Sequence, residues 1–193
     1  MPAPPSLPGY GDPYRFEYPG LWLQVGATAL AIVCLVGYSW LAATLRGGEF
    51  AITVGPAGLV VLLATFVATT VVHEAIHGTV ARLLGYRVSY GIVWSMAAAY
   101  AASFEQPIAR RDTAIVAAAP LAVLTPFGIA LLPVVDGLAL LVAFFTLVLN
   151  TASAVGDLYL LARLARMPEG TVLYDVSVDE MLVYEPAGPS GES

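Results

Sequence analysis

The sequence predicts an all-α membrane protein with about four transmembrane helices and a short cytoplasmic-side strand or hairpin loop between helices 2 and 3. Hydrophobic residues make up 59% of the chain and charged residues only 11%, and the mean hydropathy is +0.79. These values lie far from those of soluble globular proteins. Four nearly uncharged apolar stretches have the length of about 20 residues that a spanning helix needs. They cover roughly residues 21–45, 55–81, 113–135 and 137–161.

The first apolar stretch follows a Pro-rich, nearly uncharged leader, which we place at residues 1–20. The stretch is about twice as long as the apolar region of a signal peptide, so we expect it to be retained as helix 1. It contains Cys34, the only cysteine, and one cysteine provides neither a disulfide framework nor a cysteine-based metal site. We assign residues 21–166 to a four-helix transmembrane domain and residues 167–193 to an acidic cytoplasmic tail.

The basic residues predict the orientation of the helices, because cytoplasmic loops of membrane proteins are enriched in Lys and Arg. All eight basic residues are Arg. Only Arg46 lies between helices 1 and 2, whereas the other seven precede helix 1, lie between helices 2 and 3 or follow helix 4. We therefore expect an integral protein of the cell membrane with both termini in the cytoplasm. The net charge of −6 argues against a nucleic-acid partner.

Helix 3 and the inner loop before it carry distinctive local patterns. Helix 3 contains Pro120 and Pro126, which predict a kinked or broken helix. In the inner loop, the side chains of residues 87–94 alternate in character, and a period of two predicts a short strand. The apolar run over residues 96–104 is too short to cross a bilayer. We expect this run to lie at the membrane interface or to re-enter as a hairpin.

The only two histidines stand four positions apart in the second apolar stretch, in the motif His73-Glu74-Ala75-Ile76-His77. On a helix this spacing places both imidazoles on one face, where their ring nitrogens can bind a single Zn²⁺ ion. Glu74 can then reach a zinc-bound water as general base. Ionisable residues in a membrane helix are costly and usually mark a functional site. The motif therefore predicts a metal centre within the membrane.

A catalytic zinc site uses three protein ligands, so one ligand is needed beyond His73 and His77. Without another His or a usable Cys, this ligand must be a carboxylate. Asp157 lies about 7 to 9 Å inside the cytoplasmic boundary, at the depth of His77, given a rise of about 1.5 Å per residue. Asp136 belongs to the opposite surface. Glu105 in the inner loop stays open as an alternative, because a loop can fold back over the site.

Asn150 shares a face of helix 4 with Asp157, because it precedes that residue by seven positions, and Ser153 lies between them. Two roles are open for this polar stripe. Asn150 could contact the substrate carbonyl or the oxyanion and so belong to the catalytic residues. Alternatively, Asn150 and Ser153 could form interhelical hydrogen bonds that hold the bundle together.

Taken together, these motifs resemble the DUF3267-type zincin peptidases, which are related in design to the site-2 protease-like intramembrane metalloproteases. The resemblance covers roughly residues 70–185 and rests on His73 to Gly78, Tyr90-Gly91, Ala99-Tyr100, Ala119-Pro120, Asn150 and Gly156-Asp157. It implies that His73, His77 and Asp157 are metal ligands and that Glu74 is the general base. The chain departs from the site-2 protease pattern, because no Pro-rich segment precedes Asp157 and the spacing from Asn150 to Asp157 differs.

The motif and the resemblance predict a membrane-embedded zinc metalloprotease with one Zn²⁺ ion, in which Glu74 is the general base on a zinc-bound water. The expected partners are the lipid bilayer and a peptide or membrane-protein substrate. Residues 87–94 could hold this substrate extended by strand addition, and Pro at Ile92 would then impair cleavage. Two alternatives remain open. One is a zinc transporter or sensor without proteolytic activity, and the other is a scaffold that retains the motif without catalysis.

Overall fold

In the computed structural model, which describes residues 5–93 and 98–187, the chain is mostly helical, with 58% of the described residues in helices. Five helices follow one another in the described part: α1 (Gly20–Leu45), α2 (Pro56–Leu83), α3 (Arg110–Leu131), α4 (Gly137–Ser153) and α5 (Val155–Leu164). The first three are each long and apolar enough to cross a membrane, and the α4–α5 pair makes a fourth span if it is counted as one. The four apolar stretches of the sequence correspond to these helices.

The fourth predicted span is broken and the third is continuous, so the prolines of helix 3 do not break it. α3 runs unbroken through Pro120 and Pro126, whereas α5 leaves the end of α4 at an angle of 42°. At this break the Ser153 hydroxyl donates to the carbonyl of Asn150 at 3.1 Å, and the Ala154 N–H donates to the same carbonyl at 3.2 Å. Both bonds reach back three or four residues and close the last turn of α4.

The chain is not all-α, because short strands accompany the helices. β2 (Ser89–Val93) and β3 (Ala98–Ala102) pair antiparallel as a hairpin between α2 and α3, where the sequence predicts one. A separate sheet has the strand order β1–β6–β5–β4 and combines β1 (Tyr14–Arg15), β4 (Pro107–Ala109), β5 (Val172–Ser177) and β6 (Glu180–Tyr184). Local patterns do not reveal this sheet, because β1 and β6 come from opposite ends of the chain. Residues 94–97, part of the predicted strand and of the apolar run after it, lie outside the described residues.

All these strands lie at one end of the helical bundle, because they occur before α1, between α2 and α3, and after α5. The other end carries the links between α1 and α2 and between α3 and α4. There Arg46 donates to the carbonyls of Leu132 and Val135, both at 2.9 Å, and pairs with Asp136. The expected leader and tail thus meet in one sheet with β4. The division of the chain at residues 20 and 166 stays a prediction.

Two hydrophobic clusters hold the helices and the sheet together. One lies between the four-stranded sheet and the helices α3 and α5, and consists of Phe16, Ala117, Leu160, Leu164, Met167, Leu173 and Val183. The other joins α1 to α4 and to the link after α3, and consists of Cys34, Ala42, Leu132, Leu140, Phe144, Leu147 and Val148. The first cluster is the important one for function, because it fixes the sheet against the end of the bundle that carries the His motif.

Candidate metal centre

The two histidines lie on the buried face of α2, one helical turn apart. Their rings stand edge to face with the centroids 4.8 Å apart, and both residues are buried. Thr65 and Thr69 continue the same buried face at intervals of four residues. Since α2 packs against α3 and α4, the imidazoles point into the bundle. The i, i+4 spacing therefore has the geometric consequence that the sequence predicts.

The Nδ1 atoms of both histidines are engaged in hydrogen bonds to oxygen acceptors. His73 Nδ1 lies 2.9 Å from Asn150 Oδ1, and His77 Nδ1 lies 2.8 Å from the backbone carbonyl of Val116. A carbonyl oxygen can only accept, so the proton of each neutral imidazole resides on Nδ1. The Asn150 amide is oriented by its Nδ2, which donates to the carbonyl of Pro120 at 3.4 Å. Both Nε2 atoms are consequently left with a lone pair for a metal ion.

Pro120 explains why a backbone carbonyl of α3 is available to His77. In a regular helix the carbonyl of Val116 would accept from the N–H of the residue four positions later. That residue is Pro120, which has no N–H. The unused carbonyl of Val116 accepts the His77 Nδ1 proton instead. The proline inside α3 therefore orients a histidine of α2, although it does not break the helix.

Asp157 faces the lone pairs of both histidines from the first turn of α5. Its Oδ2 lies 3.2 Å from His73 Nε2, and its Oδ1 lies 3.4 Å from His77 Nε2. Lone pairs of neutral imidazoles and of a carboxylate repel one another at these distances unless a cation lies between them. Two imidazoles and one carboxylate are also a donor set that binds zinc in catalytic sites. These three residues thus fit a zinc ion.

Glu74 is held by the hairpin, next to the histidines. Its Oε2 accepts the backbone N–H of Ala101 in β3 at 3.0 Å. The ligand atoms of His73, Glu74 and His77 lie within 4.8 Å of one another, close enough to hold a metal ion. Asp157, however, contacts the Nε2 atoms of both histidines, whereas Glu74 is bound to the strand. The contacts therefore favour Asp157 as the third donor and Glu74 as a base beside it.

The β2–β3 hairpin reaches Glu74 because two glycines allow close packing. A Cβ atom on Gly78 of α2 would overlap the phenol ring of Tyr90 in β2. A Cβ atom on Gly91 would likewise overlap the ring of Tyr100, its partner across the hairpin. Arg82, one helical turn after Gly78 on α2, also contacts this tyrosine. Its guanidinium lies 4.8 Å from the centroid of the Tyr90 ring. These contacts fix β3 at the depth of the His motif.

The centre opens into a cavity of about 330 Å³. Its helical lining includes His73, Glu74, His77 and Asp157. The lining outside the helices includes Ala101 of the hairpin, Tyr18 of the segment before α1, and Asp175 and Met181 of the four-stranded sheet. The cavity is thus bounded by helices on one side and by strands on the other.

Asn150 and Glu105, which the sequence also suggests for the site, do not line the cavity. Asn150 is fully buried, and its amide is used by His73, Pro120 and Thr125. This position favours the interhelical alternative, with the added feature that Asn150 orients a candidate ligand. Glu105 is exposed in the turn before β4 and is absent from the cavity lining.

The walls contributed by the strands are the part of the site that sequence reasoning missed. Ala101 carries no chemical signature, and only its backbone N–H takes part. For Asp175 the sequence offers one weak indication. The residue lies two positions after Leu173 in β5 and therefore shares a face of the strand with a core residue. The sequence does not show what this face of β5 covers, so it does not place Asp175 in the site.

The DUF3267 family, described as "Putative zincin peptidase", matches residues 66–172. No curated protein and no solved structure matches the chain. The matched segment covers more than half of the 193 residues and includes the His motif, the hairpin, α3, α4 and α5. Its description implies zinc as the metal. The chain therefore belongs to the DUF3267 family.

Proposed function

We propose that this protein is a membrane-embedded zinc metallopeptidase that hydrolyses peptide bonds of membrane or membrane-proximal substrates. The observation that carries the proposal is the convergence of His73 Nε2, His77 Nε2 and the Asp157 carboxylate in a cavity that Glu74 also lines. The family description points to the same chemistry. A zinc transporter or sensor would need the metal ligands but would not need Glu74, the carboxylate that β3 holds beside them.

His73, His77 and Asp157 would hold one zinc ion. Zinc bound there would supply Lewis acidity, which activates a water molecule and polarises the scissile carbonyl. Asn150 and the Val116 carbonyl keep the two imidazoles in the tautomer that leaves Nε2 available. In this proposal Asn150 positions a ligand and does not contact the substrate.

Glu74 would act as the general base. It takes the proton of the attacking water and then delivers it to the nitrogen of the leaving amine. The Ala101 N–H holds one carboxylate oxygen in place, and a carboxylate has further lone pairs for the proton. The apolar surroundings of the cavity limit competition from bulk water for these groups.

The proposed location of the site is the cytoplasmic half of the membrane. His77 precedes the end of α2 at Leu83 by six residues, or about 9 Å along the helix axis. Seven arginines lie at the end of the bundle that carries the strands. Their enrichment at this end supports a cytoplasmic position by the rule that governs short loops.

The proposal is tested by measuring zinc content and peptide cleavage on the purified full-length protein in detergent. Wild type should contain about one zinc per chain and should cleave a quenched-fluorescence peptide library. Glu74→Gln should keep the zinc and lose cleavage, because the amide cannot take the proton. Asp157→Ala should lose both zinc and activity. The exposed residues Glu49 and Asp179 provide the controls Glu49→Gln and Asp179→Ala, which should behave as wild type.

Each competing function gives a different result in the same experiment. A protein that binds zinc at His73 and His77 but cleaves no peptide would be a transporter, a sensor or a silent scaffold. Zinc flux into proteoliposomes that is abolished by His77→Ala would identify the transporter. Wild-type protein purified without zinc, and unable to bind added zinc, would refute the metal centre itself.

A further inference from the structure

A carboxylate outside the metal centre lines the same cavity. Asp175 lies in β5, beyond the segment that the family covers. It enters the cavity from the sheet, whereas Glu74 and Asp157 enter it from α2 and α5. The proposed chemistry assigns no role to this residue.

The strand register shows that Asp175 belongs to the inner face of the sheet. Leu173 pairs with Val183, and Asp175 pairs with Met181. Residues paired across two strands share a face, as do residues two positions apart along one strand. Leu173 and Val183 belong to the hydrophobic cluster beneath the sheet, and Met181 packs against it. Asp175 is therefore the one charged side chain among four that face the helices.

The hydrogen bonds of Asp175 leave its negative charge uncompensated. The backbone N–H of Ser103 lies close to its carboxylate and favours the charged form, and no ion pair to Asp175 is present among residues 5–93 and 98–187. Burial raises the pKa of this carboxyl from 3.8 to about 6, so the group is still charged at neutral pH. A divalent cation in the metal centre would balance Asp157 and Glu74 but not Asp175. A charge on an apolar face without a counter-ion is costly unless a ligand supplies one.

We propose that Asp175 is the acidic end of a substrate subsite that receives a Lys or Arg side chain of the peptide. This inference rests on the proposed peptidase function and names a substrate class for it. Met181 and Ile108 line the same cavity and offer apolar surface to the methylene stem of such a side chain. The carboxylate would accept charge-assisted hydrogen bonds from the cationic head group.

A purely structural role predicts a different response to substitution. If Asp175 served only to accept the Ser103 N–H, Asn at this position would serve equally well, because its Oδ1 is also an acceptor. Asp175→Asn therefore removes the charge and keeps the hydrogen bond. Asp179→Asn is the matched control. It makes the same chemical change in the exposed β5–β6 turn, outside the cavity.

The test measures peptide binding to zinc-loaded, full-length Glu74→Gln protein in detergent micelles, where bound peptide is not cut. The probes are fluorescein-labelled peptides of one apolar sequence, in which a single Lys, Gln or Glu is moved from position to position. At one position the Lys peptide should bind about tenfold tighter than the Gln peptide, by fluorescence anisotropy. Adding Asp175→Asn should bring this ratio to about one and leave the Gln peptide unaffected. Adding Asp179→Asn should leave the ratio unchanged.

Several results would overturn the inference. They are equal binding of Lys and Gln peptides at every position, a Lys preference that survives Asp175→Asn, and absence of binding by the whole series. Failure of the peptidase function looks different. In that case wild-type protein would bind the Lys peptide with a preference that depends on Asp175, yet mass spectrometry would show the peptide uncut.

Discussion

At the scale of single residues, the orientation of the histidines depends on groups that carry no catalytic chemistry. Asn150 and the Val116 carbonyl each accept one Nδ1 proton. The second of these acceptors exists because Pro120 removes its helical donor. Partners of this kind fix the tautomer and the ring plane of a metal-binding histidine. A proline buried in α3 should therefore influence zinc binding on α2.

We predict that Pro120→Ala weakens zinc binding about tenfold, which is at the low end of the effect of removing a group that orients a ligand. Ala at this position regains an N–H that competes with His77 for the Val116 carbonyl. Competition with a zinc chelator on purified protein measures the change. Pro126→Ala is the control, because Pro126 lies in the same helix but is exposed. Equal zinc affinities in the two variants would show that the proline does not act through His77.

Asp175 should make the stability of the protein depend on pH. Its pKa is raised from 3.8 to about 6 because it is buried, so the folded state binds a proton more readily than the unfolded state. The residue therefore costs stability above pH 6, and this cost disappears as the pH falls from about 6 to about 4. Other titratable groups line the same cavity, namely Tyr18, His73, Glu74, His77, Tyr86 and Asp157.

We predict that Asp175→Asn is more stable than wild type by about 1 to 3 kcal/mol at pH 8 and by nearly nothing at pH 4. Thermal or denaturant unfolding in detergent at several pH values measures the difference. Comparison with Asp179→Asn removes effects that are common to any lost surface carboxylate. A difference that is independent of pH would contradict the raised pKa. A gain in stability with a loss of Lys selectivity would fit a residue retained for function.

The candidate ligands, which the structure brings together, could be singled out in the sequence because their chemistry is rare in this chain. Two histidines at helical spacing, and one carboxylate at matching depth, left few choices. The groups that orient or surround them could not be predicted. A backbone carbonyl, the N–H of Ala101 and the inward face of β5 depend on which elements pack together. Residue type alone contains no such information.

At the scale of elements, the hairpin explains why the motifs shared with the DUF3267 family include glycines and tyrosines that are distant in sequence. Gly78 and Tyr90 form one close contact, and Gly91 and Tyr100 form the next. A side chain at either glycine would push β3 away from α2. The small residues thus act as spacers that set the distance between Glu74 and the strand.

The hydrogen-bonding direction of β3 decides which strand can hold a substrate. The Ala101 N–H points to Glu74, so it points away from β2. In an antiparallel pair the direction of the N–H groups repeats every two residues, so the N–H of Ala99 also points away from β2. The N–H of Ile92, which pairs with Ala99, points away from β3 at the opposite edge of the hairpin. Strand addition beside the metal centre would therefore involve β3, and this geometry argues against the expectation that residues 87–94 hold the substrate.

We predict that Ala99→Pro lowers kcat/KM about three- to tenfold, since it removes one backbone donor from the edge that faces α2. Zinc content should stay unchanged. Ile92→Pro is the control, because it removes a donor from the opposite edge and leaves the bonds between the two strands intact. Cleavage assays with one peptide substrate compare the two variants. Stronger impairment by Ile92→Pro would place the substrate on the outer edge.

The helices were predictable and the sheet was not, for a physical reason. Apolar stretches of spanning length reveal membrane helices through local composition. The pairing of β1 with β6 depends on the fold of the whole chain, since Tyr14 pairs with Val183. The break before α5 was also hidden, because no Pro marks it. It arises beside Ser153 and lies between Asn150 and Asp157, which contact opposite nitrogens of His73.

At the scale of the whole molecule, the surface of α1 indicates its position in the bilayer. Trp22 and Trp40 are 72% and 71% exposed. They are separated by 18 residues, which corresponds to about 27 Å along a helix. This distance is close to the hydrocarbon thickness of about 30 Å, and Trp side chains are enriched at both interfaces. We therefore expect the two tryptophans to anchor the helix near the two boundaries.

The charges at the two ends of the bundle favour one orientation. Arg46 is the only arginine at the end without strands, and it pairs with Asp136. The other seven arginines lie at the end that carries the sheet. We therefore predict that the sheet, both terminal segments and the cavity face the cytoplasm.

Labelling of single cysteines tests this orientation. In a Cys34→Ala background, Glu49→Cys places an exposed thiol in the link between α1 and α2, and Ser177→Cys places one at the exposed end of β5. Because the two positions lie at opposite ends of the bundle, a membrane-impermeant maleimide should label Glu49→Cys in right-side-out vesicles. Ser177→Cys should react only after permeabilisation. The reverse pattern would place the sheet outside, and the cavity would then open to the other side of the membrane.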